Sequence, residues 1–199
     1  ADCRCSSEAM KTATKKTVRK SAKKATPRKT SARRAAKPST ASKKTAARRG
    51  HLVVDATNVI CGAQDRSRFD LLLSLVVAAA ADGTDVLCIF DATTPHRLQT
   101  SPERDLYRWL LTEKARHFVQ CPGRTEADLL ILAEAERMHC PVVSNDFFRD
   151  REDRHPWVRD KGRVLRHQPI RDVLYLSDRA LPVESDLGEL RRQLELLFA

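Results

Sequence analysis

Leu52-Val53-Val54-Asp55-Ala56-Thr57-Asn58 decides the reading of the fold. Three consecutive apolar residues end on an acid and give way to small polar residues. That is the texture of a strand buried on both faces that stops at a loop. It returns at Val86-Leu87-Cys88-Ile89-Phe90-Asp91 and at Pro141-Val142-Val143-Ser144-Asn145-Asp146, with a shorter run at 117–120. Further strands are expected at 164–170 and 173–176.

Helical signals lie between these runs. Ser67-x-x-Asp70 reads as a capping box opening a helix through Ala81, with Gly83 to close it. Ser101-Pro102-Glu103 supplies an N-cap and a proline at the first helical position. Thr125 is read as the cap of a helix over 126–139. Leu187, Leu190, Leu194 and Leu197 repeat at helical spacing near the end of the chain. Apolar strands alternating with helices specify a parallel sheet covered on both sides. The expectation is an α/β protein: one three-layer α/β/α domain over 51–199, with a central, mostly parallel sheet.

Residues 1–50 read differently. They hold 17 Lys/Arg against two acids, a net of +15, while residues 51–199 hold 20 against 24, a net of −4. Between 11 and 50 there is no aromatic residue, and Val18 is the single large aliphatic. Such a segment lacks the apolar surface needed to offset the entropy of ordering, so a disordered basic arm is expected. Its charge suits phosphate polyanions, bound without sequence selection. Lys23-Lys24-Ala25-Thr26-Pro27-Arg28-Lys29 resembles the tails of linker histones and bacterial histone-like proteins. Met10 followed by Lys11 looks like a natural start, with 1–9 an upstream extension.

The six cysteines have no disulfide-scaffold pattern, and Cys3-x-Cys5 lacks neighbours to complete a metal site. Reduced thiols and the absence of a long apolar run argue for a cytoplasmic protein, free of membranes and associated with nucleic acid.

Ligands of open parallel sheets bind beyond the carboxyl ends of the strands. Asp55 ends the first strand, and Asn58 follows in the loop. Asp146 follows the fourth strand. Asp150 faces the same side if 147–149 turn helically. Asp128 heads a helix face that continues as Ile131, Leu132, Ala135 and Met138. It points toward the sheet edge, or it caps its own helix through Thr125-x-x-Asp128. Asp55 and Asp146 also have a plain reading as turn residues. Converging carboxylates repel, and a hard divalent cation with oxygen ligands relieves them; Mg2+ or Mn2+ suits a set without His or Cys. Arg124 and Arg149 flank the acids as candidate phosphate contacts. A phosphatase with an Asp-x-Asp nucleophile is excluded by Asp55-Ala56-Thr57.

Val53-Val54-Asp55-Ala56-Thr57-Asn58-Val59-Ile60 resembles the opening strand and D-x-x-N motif of NYN/PIN-like ribonucleases. Ser144-Asn145-Asp146-Phe147-Phe148-Arg149-Asp150 is similar to the S-N-D-x-x-R-D motif of their Regnase branch. The likeness covers roughly 51–182. It implies a PIN-like fold and a Mg2+- or Mn2+-dependent endoribonuclease, a hydrolase. Asp55, Asp128, Asp146 and Asp150 are then acidic metal-site residues with Asn58 beside them, and Arg124, Ser144, Asn145 and Arg149 are candidate RNA contacts. The chain departs from the branch at Ala127, where an acid adjacent to Asp128 is expected; Glu126 is the candidate substitute. The CCCH zinc finger spacing is also missing. Asp91 matches a strand-two acid of some bacterial NYN proteins. RNA is the expected partner, with DNA reachable through the arm. The competing expectation is a non-catalytic nucleic-acid-binding or nucleoid-associated protein carrying a degenerate PIN-like domain.

Overall fold

The computed structural model describes residues 50–61 and 67–199. The basic arm and the Cys3/Cys5 pair lie outside the described residues.

The first strand, β1 (His51–Asp55), forms the middle of a five-stranded sheet with β2 (Asp85–Phe90), β3 (Phe118–Gln120), β4 (Val142–Val143) and β5 (Val164–Leu165). The order is β3-β2-β1-β4-β5, and every pairing is parallel. Successive strand side chains point to opposite faces, which divides the core in two. On one face Leu52, Val54, Cys88 and Phe90 pack with α2 (Phe69–Ala81), α4 (Ser101–Glu113) and α6 (Leu187–Leu197). On the other, Val53, Ile89 and Val142 meet Ile131, Leu132 and Ala135 of α5 (Ala127–Arg137). These are the three α/β/α layers.

Two short helices have no separate signal in the sequence: α1 (Ala56–Cys61) directly after β1, and α3 (Thr94–Arg97) after β2. The caps also fall elsewhere than expected. No side chain caps α2; the Ser67 hydroxyl donates to Glu103, and Asp70 takes a two-oxygen contact from Arg68. The box at α4 is Thr100 with Glu103, one residue before Ser101. Helix α5 begins after Glu126, not Thr125, and has no side-chain cap, so the Thr125-x-x-Asp128 capping box does not form.

The run 164–170 is not one strand. Val164 and Leu165 join the parallel sheet, whereas β6 (His167–Ile170) opens a separate antiparallel sheet with β7 (Val173–Leu176) and β8 (Ala180–Pro182). The break has a physical cause: the Asn145 side chain takes both backbone groups of His167, accepting its N–H at 3.0 Å and donating to its carbonyl at 2.8 Å. Those groups are thereby lost to the parallel ladder. Helix α6 forms as its leucine spacing predicts, with Leu190 and Leu194 buried.

Candidate active site

Asp55 is 8 % exposed at the carboxyl end of β1. Its Oδ1 accepts the backbone N–H of Asn58 at 3.0 Å, so it does close the first turn of α1 as a turn residue would. Its Oδ2 accepts the Ser144 hydroxyl at 2.9 Å. The same Ser144 oxygen accepts the Asp146 N–H at 3.0 Å, which bolts the ends of β1 and β4 together. Ser144, expected at the substrate, is fully buried and acts on these two acids instead.

Asn58 reaches the other way. Its Oδ1 accepts the Asn145 N–H at 2.9 Å and lies 2.9 Å from Nε2 of His167. An amide oxygen accepts only, so Nε2 carries the proton and donates. Burial, reinforced by the Arg166 cation, pushes the His167 pKa down to about 4. His167 is therefore a neutral strut under the site. Sequence reasoning missed it, because a lone histidine inside a strand-like run has no motif.

A cleft of about 220 Å³ opens above this network, and Asp55, Asn58, Asp128 and Asp146 line it together. Thr57, Asp91 and Ala127 also border it, as do Cys61 and Arg97 of the two short helices. Burial raises the Asp55 pKa to about 6, against the pull of its two hydrogen bonds, and the charges of Asp128 and Asp146 add to the rise. Asp128 is raised by burial first, then by Asp146, Asp150 and Asp91. The carboxylates thus share one electrostatic neighbourhood.

Asp91 is bound to its own loop: its Oδ1 accepts the Thr93 N–H at 2.6 Å, and its bonds to Thr93 hold its carboxyl below the usual range. Arg97 brings the cleft its one lining cation among the described residues.

Asp150 is not in the cleft lining. Phe148 takes a left-handed conformation (φ 50°) with its ring fully buried, so 147–149 do not turn as a continuous helix. Asp150 is the middle residue of a short 3-10 turn (Arg149–Arg151) at the rim, its side chain 70 % exposed, with Oδ2 3.2 Å from Nε of Arg151. Glu126 does not replace the acid missing at Ala127; it is exposed and bound to Arg151. Arg124 is exposed and left-handed (φ 67°), away from the cleft lining.

The donors suit a hard cation: all are carboxylate or amide oxygens, and the acids repel one another until compensated. Among the described residues, no three His, Cys, Asp or Glu side chains stand close enough to close a metal site alone. One or two direct carboxylates with water completing the shell is the ordinary habit of Mg2+, and the cleft fits that.

A parallel sheet with acids gathered beyond its carboxyl ends, flanked by helices on both faces, is the architecture of a PIN-like domain. The chain belongs to the family of the Zc3h12a-like ribonuclease NYN domain, whose model matches residues 48–181. No curated protein matches the chain. Among solved structures it is similar to nuclear proteinaceous RNase P 2 from A. thaliana, at 17 % identity and a TM-score of 0.53 over 68 % of this chain and 31 % of that one. A second structure, of Arabidopsis thaliana nuclear protein-only RNase P 2, gives 15 % identity and 0.49 over 65 % and 30 %. The chain thus spans about a third of those proteins, and the likeness concerns the fold.

Proposed function

We propose that the domain is a divalent-metal-dependent endoribonuclease and that the cleft of Asp55, Asp128 and Asp146 is its catalytic centre. The observation that carries this reading is the meeting of the three acids at the ends of β1, α5 and β4 in a chain of a ribonuclease family. Asp55, Asp128 and Asp146 would hold Mg2+ or Mn2+ through carboxylate oxygen and intervening water, with Asp150 contributing charge from the rim. An ion held there would supply Lewis-acid polarisation of a phosphoryl oxygen and a lowered pKa for water.

The remaining work falls to the protein's own groups. Ser144 and the Asn58 N–H fix both oxygens of Asp55, so the carboxylate does not reorganise as charge develops beside it. The neutral amide of Asn58 adds no repulsion. Arg97 supplies a positive charge for a substrate phosphate at the cleft rim. The basic arm adds affinity for RNA without reading its sequence, and DNA competes for the arm alone.

The test is cleavage of end-labelled single-stranded RNA and DNA by the full chain in Mg2+, Mn2+ or EDTA. Cleavage of RNA that stops in EDTA and returns with Mg2+ or Mn2+ supports the proposal; metal-independent cleavage overturns it. A second reading, a non-catalytic nucleic-acid-binding domain, draws on Ala127 and on the lack, among the described residues, of three ligating side chains that could hold a metal by themselves. It predicts salt-sensitive binding with no cleavage under any metal.

A further inference from the structure

A second concavity of about 610 Å³ lies beside the acidic cleft, between the loop after β4 and the antiparallel sheet. Phe147, Arg166 and Tyr175 line it, over a floor that includes Asn145 and His167. Its character is opposite to that of the cleft: no acid lines it, and two large aromatic side chains stand open, Phe147 at 58 % and Tyr175 at 44 % exposure.

The cations here are unusually placed. The guanidinium carbon of Arg166 lies 3.9 Å from the Phe147 ring centroid, and that of Arg149 lies 4.9 Å from it. Two like charges therefore crowd one exposed ring, and no carboxylate among the described residues forms an ion pair with either. Nη1 of Arg166 is buried and makes no hydrogen bond among the described residues. Exposed aromatic faces beside arginines that stand outside any ion pair make a surface for a base and its phosphate together. A peptide of acidic residues would satisfy the arginines and leave the rings idle.

The two sites are coupled by the chain itself. Asp146 lines the cleft and Phe147, the next residue, lines the concavity, with Cα atoms about 3.8 Å apart. Asn145 ties both to one frame through its bonds to Asn58 and His167.

We infer that this concavity is a nucleotide subsite: it seats one unpaired base of single-stranded RNA against Phe147 and Tyr175, with Arg166 and Arg149 on the adjoining phosphates, next to the bond cut in the acidic cleft. Arg149, exposed and at the longer distance, leaves the ring face to the base as its guanidinium turns to phosphate. The subsite rests on the ribonuclease reading and gives it a substrate class. Paired RNA is rejected because its bases are stacked inside the duplex and cannot be splayed out.

The test uses the full chain and a single-stranded RNA oligonucleotide whose cleavage position has been mapped. Stacking of one base is worth about 1–3 kcal/mol, so Phe147→Ala raises KM about tenfold while kcat changes little. Phe147→Trp restores KM, and Phe147→Leu, equally apolar but without a π face, does not. An abasic residue placed on one side of the cut raises KM for the wild type by the same factor and adds nothing in Phe147→Ala. An unchanged KM in Phe147→Ala, or full rescue by Leu, overturns the subsite and leaves the nuclease reading standing. A wild-type chain that cleaves no RNA in any metal overturns the nuclease reading, and the subsite with it.

Discussion

Nε2 of His167 donates to Oδ1 of Asn58 across 2.9 Å, joining residues 109 positions apart in the chain. Asn58 passes that constraint to Asp55 through its backbone N–H, and Asn145 closes the loop by binding both Asn58 and His167. The Asp55 carboxylate is thus held from beneath by a frame of three uncharged side chains. A neutral frame is what a crowded acidic cleft requires, since a further charge would either repel the acids or compete for them.

Removing the strut has a measurable cost. His167→Ala is expected to lower unfolding free energy by about 2 kcal/mol, because a buried hydrogen-bonded ring is lost and Asn58 keeps one donor where it had two. Urea unfolding checks the value. RNA cleavage falls with it, and Glu or Asp at 167 is worse than Ala because it brings a buried charge.

Metal-free stability carries two opposed pH dependences. Asp55 has a folded pKa of about 6 against an ordinary 3.8, so the folded state holds that proton more tightly. Its ionisation costs stability as pH rises from about 4 to 6. His167 has a folded pKa of about 4 against 6.5, so the unfolded state protonates first and stability is lost as pH falls through 6.5 toward 4. Each effect is on the order of 3 kcal/mol at full extent, and they offset one another in the wild type. Asp55→Asn removes one, and the variant should be more stable than wild type at pH 7.5 in EDTA, with the advantage shrinking toward pH 4. Equal stabilities at both pH values would contradict the electrostatic account.

Arg97 faces the acids from a four-residue helix. Arg97→Ala is expected to reduce kcat/KM for RNA about tenfold or more, as loss of a charge-assisted phosphate contact does. Arg97→Lys recovers part of it, the charge being kept and the fork geometry lost. Steady-state kinetics on one oligonucleotide compares the three.

Asp150 ranks below the cleft acids. Its side chain is 70 % exposed and paired with Arg151, outside the lining. Asp150→Asn should therefore lower activity by about 10–100-fold, the range for a supporting carboxylate, and leave detectable metal-dependent cleavage. Complete loss would place Asp150 among the direct ligands.

Much of this was legible in the sequence. Val53-Val54-Asp55 and Val142-Val143 announce buried strands because residues covered on both faces need no polar alternation, and the acids after them mark the carboxyl edge. Asp128 was legible through the apolar face it heads. Other parts depend on contacts distant in sequence. Nothing local distinguishes His167, whose role comes from Asn58 and Asn145. Arg97 sits on a helix of one turn, too short to have a period. The direction of Asp150 turns on the left-handed backbone of Phe148, imposed by burying that ring under the sheet. The split of 164–170 was hidden because Asn145, twenty-two residues before His167, competes for its backbone.

If the acidic cleft cuts RNA with a divalent ion, cleavage depends on the Asp146 carboxylate, which Asp146→Asn removes while keeping its shape. Asp146 is exposed at the cleft, so the substitution should leave circular dichroism and the unfolding midpoint as in the wild type. Single-stranded RNA is then incubated with both proteins in Mg2+ or Mn2+. Cleavage by the wild type and none above background by the folded variant is the expected result; undiminished, metal-dependent cleavage by Asp146→Asn would rule out the acidic cleft as the place where RNA is cut.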